Sequence, residues 1–427
     1  MPLRMLVFFL FATAILLLID LYGYKGIKML SAGLDDLPRR LWRWAWWLPS
    51  LTTGFLFAYL AINFESLMAE KSYRFFYFVT GFAITFLVSK LVFVVFHFAD
   101  DLLHVVRLGI NVLSPKIDSS TGAHERINRL QFLNQAGLIV SGVVLGSMVY
   151  GVIRGKYNFK VWKQLVTFPD LPEAFLGMKV IQLSDMHLGS FLDNSFEEVQ
   201  KAIDMINELD ADYIFFTGDM VNNFAYEADP WIEMMASMKA RYGKFSILGN
   251  HDYGDYVPWD SLEAKQANLE RLYEVHREMG FRLLRNENVA LELNGDRIRL
   301  IGVENWGQGF HQYGDLSKAM EGIESERFSI LLSHDPTHFE NVVRGKSDVQ
   351  LTLSGHTHGM QMGVEIPSLG IKLSPIRLRY RRWAGLYREN NQYLYVNRGF
   401  GFLGFPGRVG IFPEITLLEF RKGDYVG

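Results

Sequence analysis

Two histidines separated by a single residue, His356 and His358, lie in the segment Ser354–Gly359. The apolar run Val349–Leu353 before them is typical of a strand that ends where the histidines begin. Side chains two residues apart on a strand point the same way, so both imidazoles can face one cavity. Paired imidazoles suit Zn, Mn, Fe or Ni. Alone the pair is a weak signal, and a metal site requires further ligands from elsewhere in the chain.

Similar polar side chains follow four other apolar runs. Each run is followed in turn by one of these groups: Asp185 and His187, then Asp219, then Asn250, His251 and Asp252, then His334 and Asp335. Any one group is unremarkable, because Asp after Gly is common in turns and a single His is more often structural. Strand-end loops are the expected place for chemistry in α/β proteins. Five such ends in succession therefore predict one common site.

The order of these motifs resembles the calcineurin-like metallophosphoesterase family. Asp-x-His, Gly-Asp, Gly-Asn-His-Asp, a lone His and Gly-His-x-His occur in sequence between Asp185 and His358. A closer similarity to the membrane-attached YaeI/YkuE-like group is carried by residues 180–189, 397–401 and 412–415. The resemblance covers about residues 177–420. It implies an α/β fold with a four-layer α/β/β/α sandwich.

The resemblance also implies two divalent metal ions bridged by the Asp219 carboxylate. One ion would be held by Asp185, His187, Asp219 and His358, and the other by Asp219, Asn250, His334 and His356. These ligands offer oxygen and imidazole nitrogen, and the chain has no cysteine. Such a set favours Mn, Fe or Zn over Cu(I).

His251 is the predicted catalytic residue. It follows Asn250, and the resemblance assigns it no metal. We expect it to protonate the leaving alkoxide or to stabilise charge on the phosphate. Asp252 orients His251 or a neighbouring ligand in one interpretation and makes a plain turn in the other. The set predicts in-line hydrolysis of a phosphomonoester or phosphodiester without a phospho-enzyme intermediate.

Other candidate residues have weaker patterns. His311 follows an aromatic, glycine-containing segment and could border the substrate cleft, whereas His276 and His338 are more typical of structural histidines. A basic cluster comprises Arg377, Arg379, Arg381 and Arg382. The cluster is either a solvated or membrane-facing strip or a contact for anionic lipid headgroups or a pyrophosphate.

The elements that must position these residues alternate between strand and helix patterns. Predicted strands span residues 179–183, 213–216, 245–248, 298–303, 329–332, 349–353, 393–396 and 415–420. Predicted helices span 196–209, 231–242 and 262–279. Residues 154–176 are predicted to form a linker and an edge strand, and residues 177–427 the metallophosphoesterase domain.

Residues 1–153 form a separate and far more apolar region. Its apolar runs are Met5–Ile19, Ala45–Phe64, Phe75–Phe98 and Ala136–Ile153. Each is near the roughly 20 residues that cross a bilayer as a helix. The first run could be a signal peptide, but three more follow, which predicts an all-α, multi-pass transmembrane region of four helices. Lys90 in the third run is expected to face the bundle in a structural role.

Charge suggests an orientation and excludes one class of partner. Lys and Arg are more frequent in the first and third loops between the runs, which places those loops in the cytoplasm. The catalytic domain is therefore predicted to be extracytoplasmic, at the cell membrane. A net charge of −3 predicts no nucleic acid binding. The expected partners are the lipid bilayer and a phosphoester substrate, including a lipid-linked one.

Three functional hypotheses follow. The first is a membrane-anchored phosphoesterase acting on a lipid-linked or envelope substrate. The second is an enzyme like the UDP-2,3-diacylglucosamine pyrophosphate hydrolases of lipid A synthesis, which requires a cytoplasmic active site. The third, of another class, is a non-catalytic metal-binding membrane scaffold. The complete ligand set with His251 argues against the scaffold.

Overall fold

A computed structural model describes residues 3–69, 74–113, 122–191, 195–322 and 328–425. The chain divides into two compact units. One comprises residues 1–153 with 404–406, and the other residues 154–403 with 407–427.

Long helices build the first unit. They are α1 (Leu3–Leu30), α2 (Asp36–Ala69), α3 (Arg74–Leu113) and α4 (Gly122–Ile153). Each contains a segment long and apolar enough to cross a membrane: Val7–Leu30, Asp36–Asn63, Phe75–Ile110 and Phe132–Ile153. The prediction of four apolar N-terminal helices is confirmed.

A buried ion pair joins three of these helices. The Lys90 ammonium on α3 donates to Asp20 Oδ1 on α1 at 2.6 Å and to Ser50 Oγ on α2 at 2.8 Å. The Trp46 indole donates to the Asp20 carbonyl at 3.1 Å, and its ring lies 4.9 Å from the ammonium. All four residues are buried. Lys90 thus faces the bundle interior, where a charged side chain requires partners.

The second unit contains two six-stranded sheets. Their strand orders are β1-β14-β2-β3-β4-β5 and β12-β13-β9-β8-β7-β6, and β10 and β11 form a separate ribbon. The strands are β1 (Lys160–Phe168), β2 (Lys179–Leu183), β3 (Tyr213–Phe216), β4 (Gly243–Ser246), β5 (Phe281–Leu283), β6 (Glu287–Leu293), β7 (Asp296–Gly302), β8 (Ser329–Leu332), β9 (Leu351–Ser354), β10 (Val364–Ile366), β11 (Ile371–Leu373), β12 (Gly385–Glu389), β13 (Gln392–Val396) and β14 (Glu414–Lys422).

The helices of this unit are shorter. They are α5 (Phe196–Glu208), α6 (Ile232–Ala236), α7 (Leu262–Glu278), α8 (Leu316–Ala319) and α9 (Pro336–His338). The predicted helix 231–242 is wrong in length, since α6 ends at Ala236. The following backbone amides instead donate to α5 and the segment before β3. Lys239 donates to Asn207 Oδ1 at 2.8 Å and Arg241 to the Ala211 carbonyl at 3.0 Å.

Alternating side chains on the strands create the four layers. On β3, Phe215 packs into the core between the two sheets, and Ile214 packs into the core shared with α5 and α7. On β8, Ile330 enters the inter-sheet core, and Leu331 packs with Phe339 and α8. Because successive strand residues point to opposite faces, continuous apolar strands need cover on both sides. The α/β/β/α sandwich is therefore confirmed.

Candidate metal centre

The predicted site residues meet where strands of both sheets end. In the first sheet, Asp185 and His187 follow β2, Asp219 follows β3, and Asn250 and His251 lie beyond β4. In the second sheet, His334 follows β8, and His356 and His358 follow β9. Strands β2, β3 and β4 are parallel to one another, as are β8 and β9, so their carboxyl ends present these residues together.

One ligand group comprises Asp185, His187 and His358. Their ligand atoms lie within 4.8 Å of one another. The two Nε2 atoms of His187 and His358 are 3.1 Å apart, and His358 Nε2 is 3.2 Å from Asp185 Oδ1. All three side chains are buried. Two imidazole nitrogens and a carboxylate directed at one point suit a divalent transition metal.

A second group comprises Asp219, His334 and His356, whose ligand atoms also lie within 4.8 Å of one another. Asn250 Oδ1 joins them, 3.1 Å from His334 Nε2 and 2.8 Å from His356 Nδ1. The Nδ1 atom of His334 lies 2.7 Å from the Thr217 carbonyl. A proton on Nδ1 that donates to this carbonyl leaves Nε2 as the ligand atom.

Asp219 stands between the two groups. Its Oδ2 lies 3.1 Å from His334 Nε2 and 3.6 Å from His187 Nε2. Its Oδ1 accepts the backbone N–H of His251 at 2.8 Å. The carboxylate is therefore held in place by the backbone while one oxygen faces both groups, which is where a bridging ligand must be.

The charges of the site fit divalent cations. Burial alone would raise the pKa of Asp219, but the adjacent His334 and His251 imidazoles hold it well below its usual value. Burial would likewise lower the pKa of His334, yet the Asp219 and Asp185 carboxylates raise it to about 10. Burial would also raise the pKa of Asp185, but the adjacent His358 lowers it, so both buried carboxylates stay ionised because positive charge lies beside them. Metal ions supply that charge more strongly than protons on histidine.

The backbone at the ligands is strained. Asp185, His187, Asp219, His356 and His358 all have positive φ, between 45° and 70°. Non-glycine residues rarely adopt this conformation, and they cluster at functional sites where surrounding structure fixes them. The segments that follow β2 and β9 also approach each other closely at these ligands. A Cβ on Gly355 would lie 1.8 Å from Ser184 Oγ and 2.3 Å from Asp185 Oδ2.

His251 lies beside the ligands. Its Nδ1 is 2.8 Å from the Asn222 carbonyl, and its ring centre is 5.1 Å from that of His187. The Tyr256 ring packs against it with centres 4.5 Å apart. Burial lowers the pKa of His251. Asp252 has a different role: its carboxylate accepts backbone N–H groups of Gly249, Asp219 and Met220, so it positions the ligand loops.

Three further residues contact the ligand histidines and were not predicted. Asn222 Oδ1 lies 3.1 Å from His187 Nδ1, and the Tyr380 hydroxyl lies 2.8 Å from His356 Nε2. Fully buried Arg408 places Nη2 3.3 Å from His358 Nδ1. Asn222 follows the Gly-Asp motif by three residues, which is a usable signal. Arg408 lies far along the chain from the motifs, in a glycine-rich segment, and no sequence signal identifies it.

The histidines and arginines with weaker sequence patterns lie in different parts of the structure. His311 and Asn250 line the same cleft of ≈ 390 Å³. His276 and His338 are buried, with Nδ1 2.9 Å from Ser246 Oγ and 2.8 Å from Ser333 Oγ, respectively. Both occupy structural positions. Three arginines of the basic cluster line another cleft, and Arg377 does not.

Matches to known protein families cover parts of both units. A profile described as calcineurin-like phosphoesterase matches residues 178–360. A second, described as "Probable Calcineurin-like phosphoesterase, transmembrane domain", matches residues 3–156. The metallophosphoesterase YkuE of Bacillus subtilis is 30% identical over 307 residues, covering 70% of this chain and 99% of that protein. The chain belongs to the calcineurin-like metallophosphoesterase family.

Two further proteins are similar to this chain, one described as transmembrane and the other as a pyrophosphatase. A zebrafish "transmembrane protein with metallophosphoesterase domain" is 28% identical over 321 residues, 73% of this chain and 68% of that protein. The UDP-2,3-diacylglucosamine pyrophosphatase LpxG of Chlamydia trachomatis is 28% identical over 277 residues, 54% of this chain and 81% of that protein.

Calcineurin-like metallophosphoesterases use two metal ions to hydrolyse phosphoesters, and this chain has two candidate ligand groups. Its N-terminal helices match the transmembrane region of such enzymes. The protein is therefore a multi-pass, membrane-anchored, metal-dependent phosphoesterase.

Proposed function

We propose that the protein hydrolyses a lipid-linked or envelope phosphomonoester or phosphodiester at the site formed by its two ligand groups. The position of Asp219 Oδ2, within 3.6 Å of a histidine from each group, carries this proposal. Asp185, His187 and His358 would hold one ion with Asp219. Asn250, His334 and His356 would hold the other with Asp219. The donor set favours Mn, Fe or Zn.

Two divalent ions bound there would supply positive charge for the phosphate and a more acidic water for in-line attack. The chain's own residues do the rest. Asn250 supplies a neutral oxygen, which limits the negative charge of the site. Asp252 positions the loops that carry Asp219 and Asn250, because its carboxylate accepts the backbone N–H groups of Asp219 and Gly249.

His251 delivers the proton to the leaving oxygen in this proposal. Its Nδ1 faces the Asn222 carbonyl at 2.8 Å, so a proton there is held by that hydrogen bond. Nε2 is then the ring atom that carries the transferred proton. The cleft lined by Asn250, Tyr256 and His311 would receive the part of the substrate beyond the reacting phosphate.

A lipid-linked substrate is supported by the membrane helices, because an anchor concentrates an enzyme near amphipathic molecules. The charge of the inter-helix loops favours an extracytoplasmic catalytic unit. Similarity to LpxG supports a second candidate, hydrolysis of the pyrophosphate of UDP-2,3-diacylglucosamine. That reaction requires the catalytic unit to face the cytoplasm.

Hydrolysis by the purified full-length chain tests the function. Metal-stripped protein is reloaded with Mn, Fe or Zn and assayed with an aryl phosphodiester, phospholipids, nucleotides and UDP-linked sugar lipids. We expect metal-dependent turnover with preference for a lipid-linked ester. Absence of turnover with every metal would contradict the proposal. A topology reporter fused after Gly427 separates the two substrate candidates.

A further inference from the structure

A basic cleft of ≈ 250 Å³ lies beside the second ligand group. Four arginines, Arg344, Arg379, Arg381 and Arg382, line it together with Gln308 and Thr337. We propose that this basic cleft binds a second phosphate group of the substrate, one that is not hydrolysed. The enzyme would then prefer phosphoesters that carry a further phosphate. This inference rests on the proposed function and specifies its substrate class.

Two of the arginines are already paired with carboxylates. Buried Arg382 forms ion pairs with Glu340 and Glu389. Arg344 lies 3.4 Å from Glu340 and 3.6 Å from Glu389. These four charges compensate one another, and Glu340, Arg344 and Arg382 line the basic cleft.

The other two arginines supply uncompensated charge. Arg379 and Arg381 are exposed, and neither has a carboxylate within 4.0 Å among the residues that the structure describes. Two positive charges therefore remain at the mouth of a polar cleft. Guanidinium groups bind phosphate through paired N–H donors, and the Thr337 and Gln308 side chains add polar groups.

The basic cleft is one side chain away from the metal centre. Tyr380 lines the basic cleft, and its hydroxyl lies 2.8 Å from His356 Nε2. Phe310 packs edge-on against His356 with ring centres 4.9 Å apart, and the Arg379 guanidinium lies 5.4 Å from the Phe310 ring. Phe310 also lines the cleft that contains Asn250. Arg379 thus stands between the two clefts, where a substrate spanning them would pass.

A matched pair of substrates tests the inference on the full-length, metal-loaded chain. Thymidine 5′-(p-nitrophenyl phosphate) is compared with the same ester carrying a 3′-phosphate. We expect a lower KM for the 3′-phosphorylated ester. Arg381→Ala should raise that KM about tenfold, the loss of about one charge-assisted hydrogen bond, and leave the other KM within about twofold.

Arg377→Ala is the matched control, because it removes the same charge from an exposed arginine outside the basic cleft. It should leave both KM values unchanged. Equal effects of Arg381→Ala and Arg377→Ala would overturn the inference, as would the absence of any preference in the unmodified chain.

Binding of inorganic pyrophosphate to the metal-free chain gives a readout independent of turnover. Arg381→Ala should weaken it about tenfold and Arg377→Ala should not. If no ester is hydrolysed but this difference is found, the proposed function fails and the anion site stands. The measurement is repeated in nanodiscs of phosphatidylcholine with and without phosphatidic acid. Competition by phosphatidic acid would assign the basic cleft to bilayer headgroups and overturn its assignment to substrate.

Discussion

Asp219 Oδ2 lies 3.1 Å from His334 Nε2, although the two residues come from different sheets of the sandwich. Asp219 follows β3 of the first sheet, and His334 follows β8 of the second. The contact therefore exists only when the sheets are correctly packed. A metal ion at this point would connect the two sheets as well as bind substrate.

Asp219→Asn should abolish metal-dependent hydrolysis and lower the metal content of the purified chain. The amide removes one negative charge and one anionic oxygen from between the two ligand groups. Metal content is measured by elemental analysis, and activity with an aryl phosphodiester. Asp204→Asn, at an exposed position of α5, is the control. Full turnover by Asp219→Asn would contradict the assignment of Asp219 as the bridging ligand.

His251→Ala should lower kcat by about 10²–10⁴ for an ester with an alkyl leaving group, the usual contribution of a general acid. The loss should be smaller with a p-nitrophenyl ester, because that leaving group departs without protonation. Metal content should stay unchanged, since His251 belongs to neither ligand group. A parallel loss of metal would instead identify His251 as a ligand.

Tyr380→Phe should weaken metal binding at the second group by about 10–100-fold, a typical effect of removing a ligand's hydrogen-bond partner. The Tyr380 hydroxyl lies 2.8 Å from His356 Nε2 and directs Nδ1 toward Asn250. Competition with a chelator measures the affinity. Tyr242→Phe, at an exposed tyrosine, provides the comparison. Equal affinities of the two variants would exclude the positioning role of Tyr380.

The stability of the chain should depend on pH through His276. Burial lowers the pKa of His276 to about 3. The unfolded chain, with a pKa near 6.5, therefore binds the proton first, so this contribution to stability falls as pH decreases from 6.5 toward 3. The free energy of unfolding should drop by about 2 kcal/mol between pH 7 and pH 5 from this group.

His276→Leu should remove that part of the pH dependence, as measured by unfolding of the detergent-solubilised chain at several pH values. The contribution of His276 to the pH dependence can be separated from that of His338, because His338 is also buried and keeps its Ser333 contact in the variant. An unchanged slope between pH 7 and pH 5 would contradict the assignment.

Lys90→Leu should destabilise the helical unit by about 3–5 kcal/mol, because it leaves the buried Asp20 carboxylate without its cation. Thermal unfolding in detergent measures the loss. The double variant with Asp20→Leu should recover most of it, since both charges are then gone. A double variant as unstable as the single one would show that Lys90 acts through other contacts.

The order of motifs predicts a ligand set from sequence, and the structure brings those residues together in two groups. Each ligand lies shortly after the end of a strand, and β2, β3 and β8 have the predicted bounds. A buried strand is a short continuous apolar run, and its polar terminus is easy to recognise. The grouping of Asp185 with His358, and of Asn250 with His356, came from family resemblance. Spacing along the chain does not determine it.

Residues that act on the ligands from remote positions could not be predicted. Arg408 approaches His358 across 50 residues of chain, and Tyr380 lies within an arginine cluster whose pattern has several explanations. The edge strands β5, β6 and β12 were also missed, because polar side chains interrupt the apolar pattern on strands with only one neighbour. Tertiary contacts, which local sequence does not encode, determine all of these.

Strand β14 sets the order in which the catalytic unit can be completed. It lies between β1 and β2, parallel to β1 over nine residue pairs and antiparallel to β2. Strand β1 follows α4 and, among the strands that the structure describes, pairs with β14 alone, so it leaves the ribosome some 250 residues before that partner. Throughout that interval β1 has unpaired edges on both sides, which is a hazard for aggregation. The membrane helices can insert early, whereas the sheet that carries the metal ligands closes only after synthesis of residues 414–422.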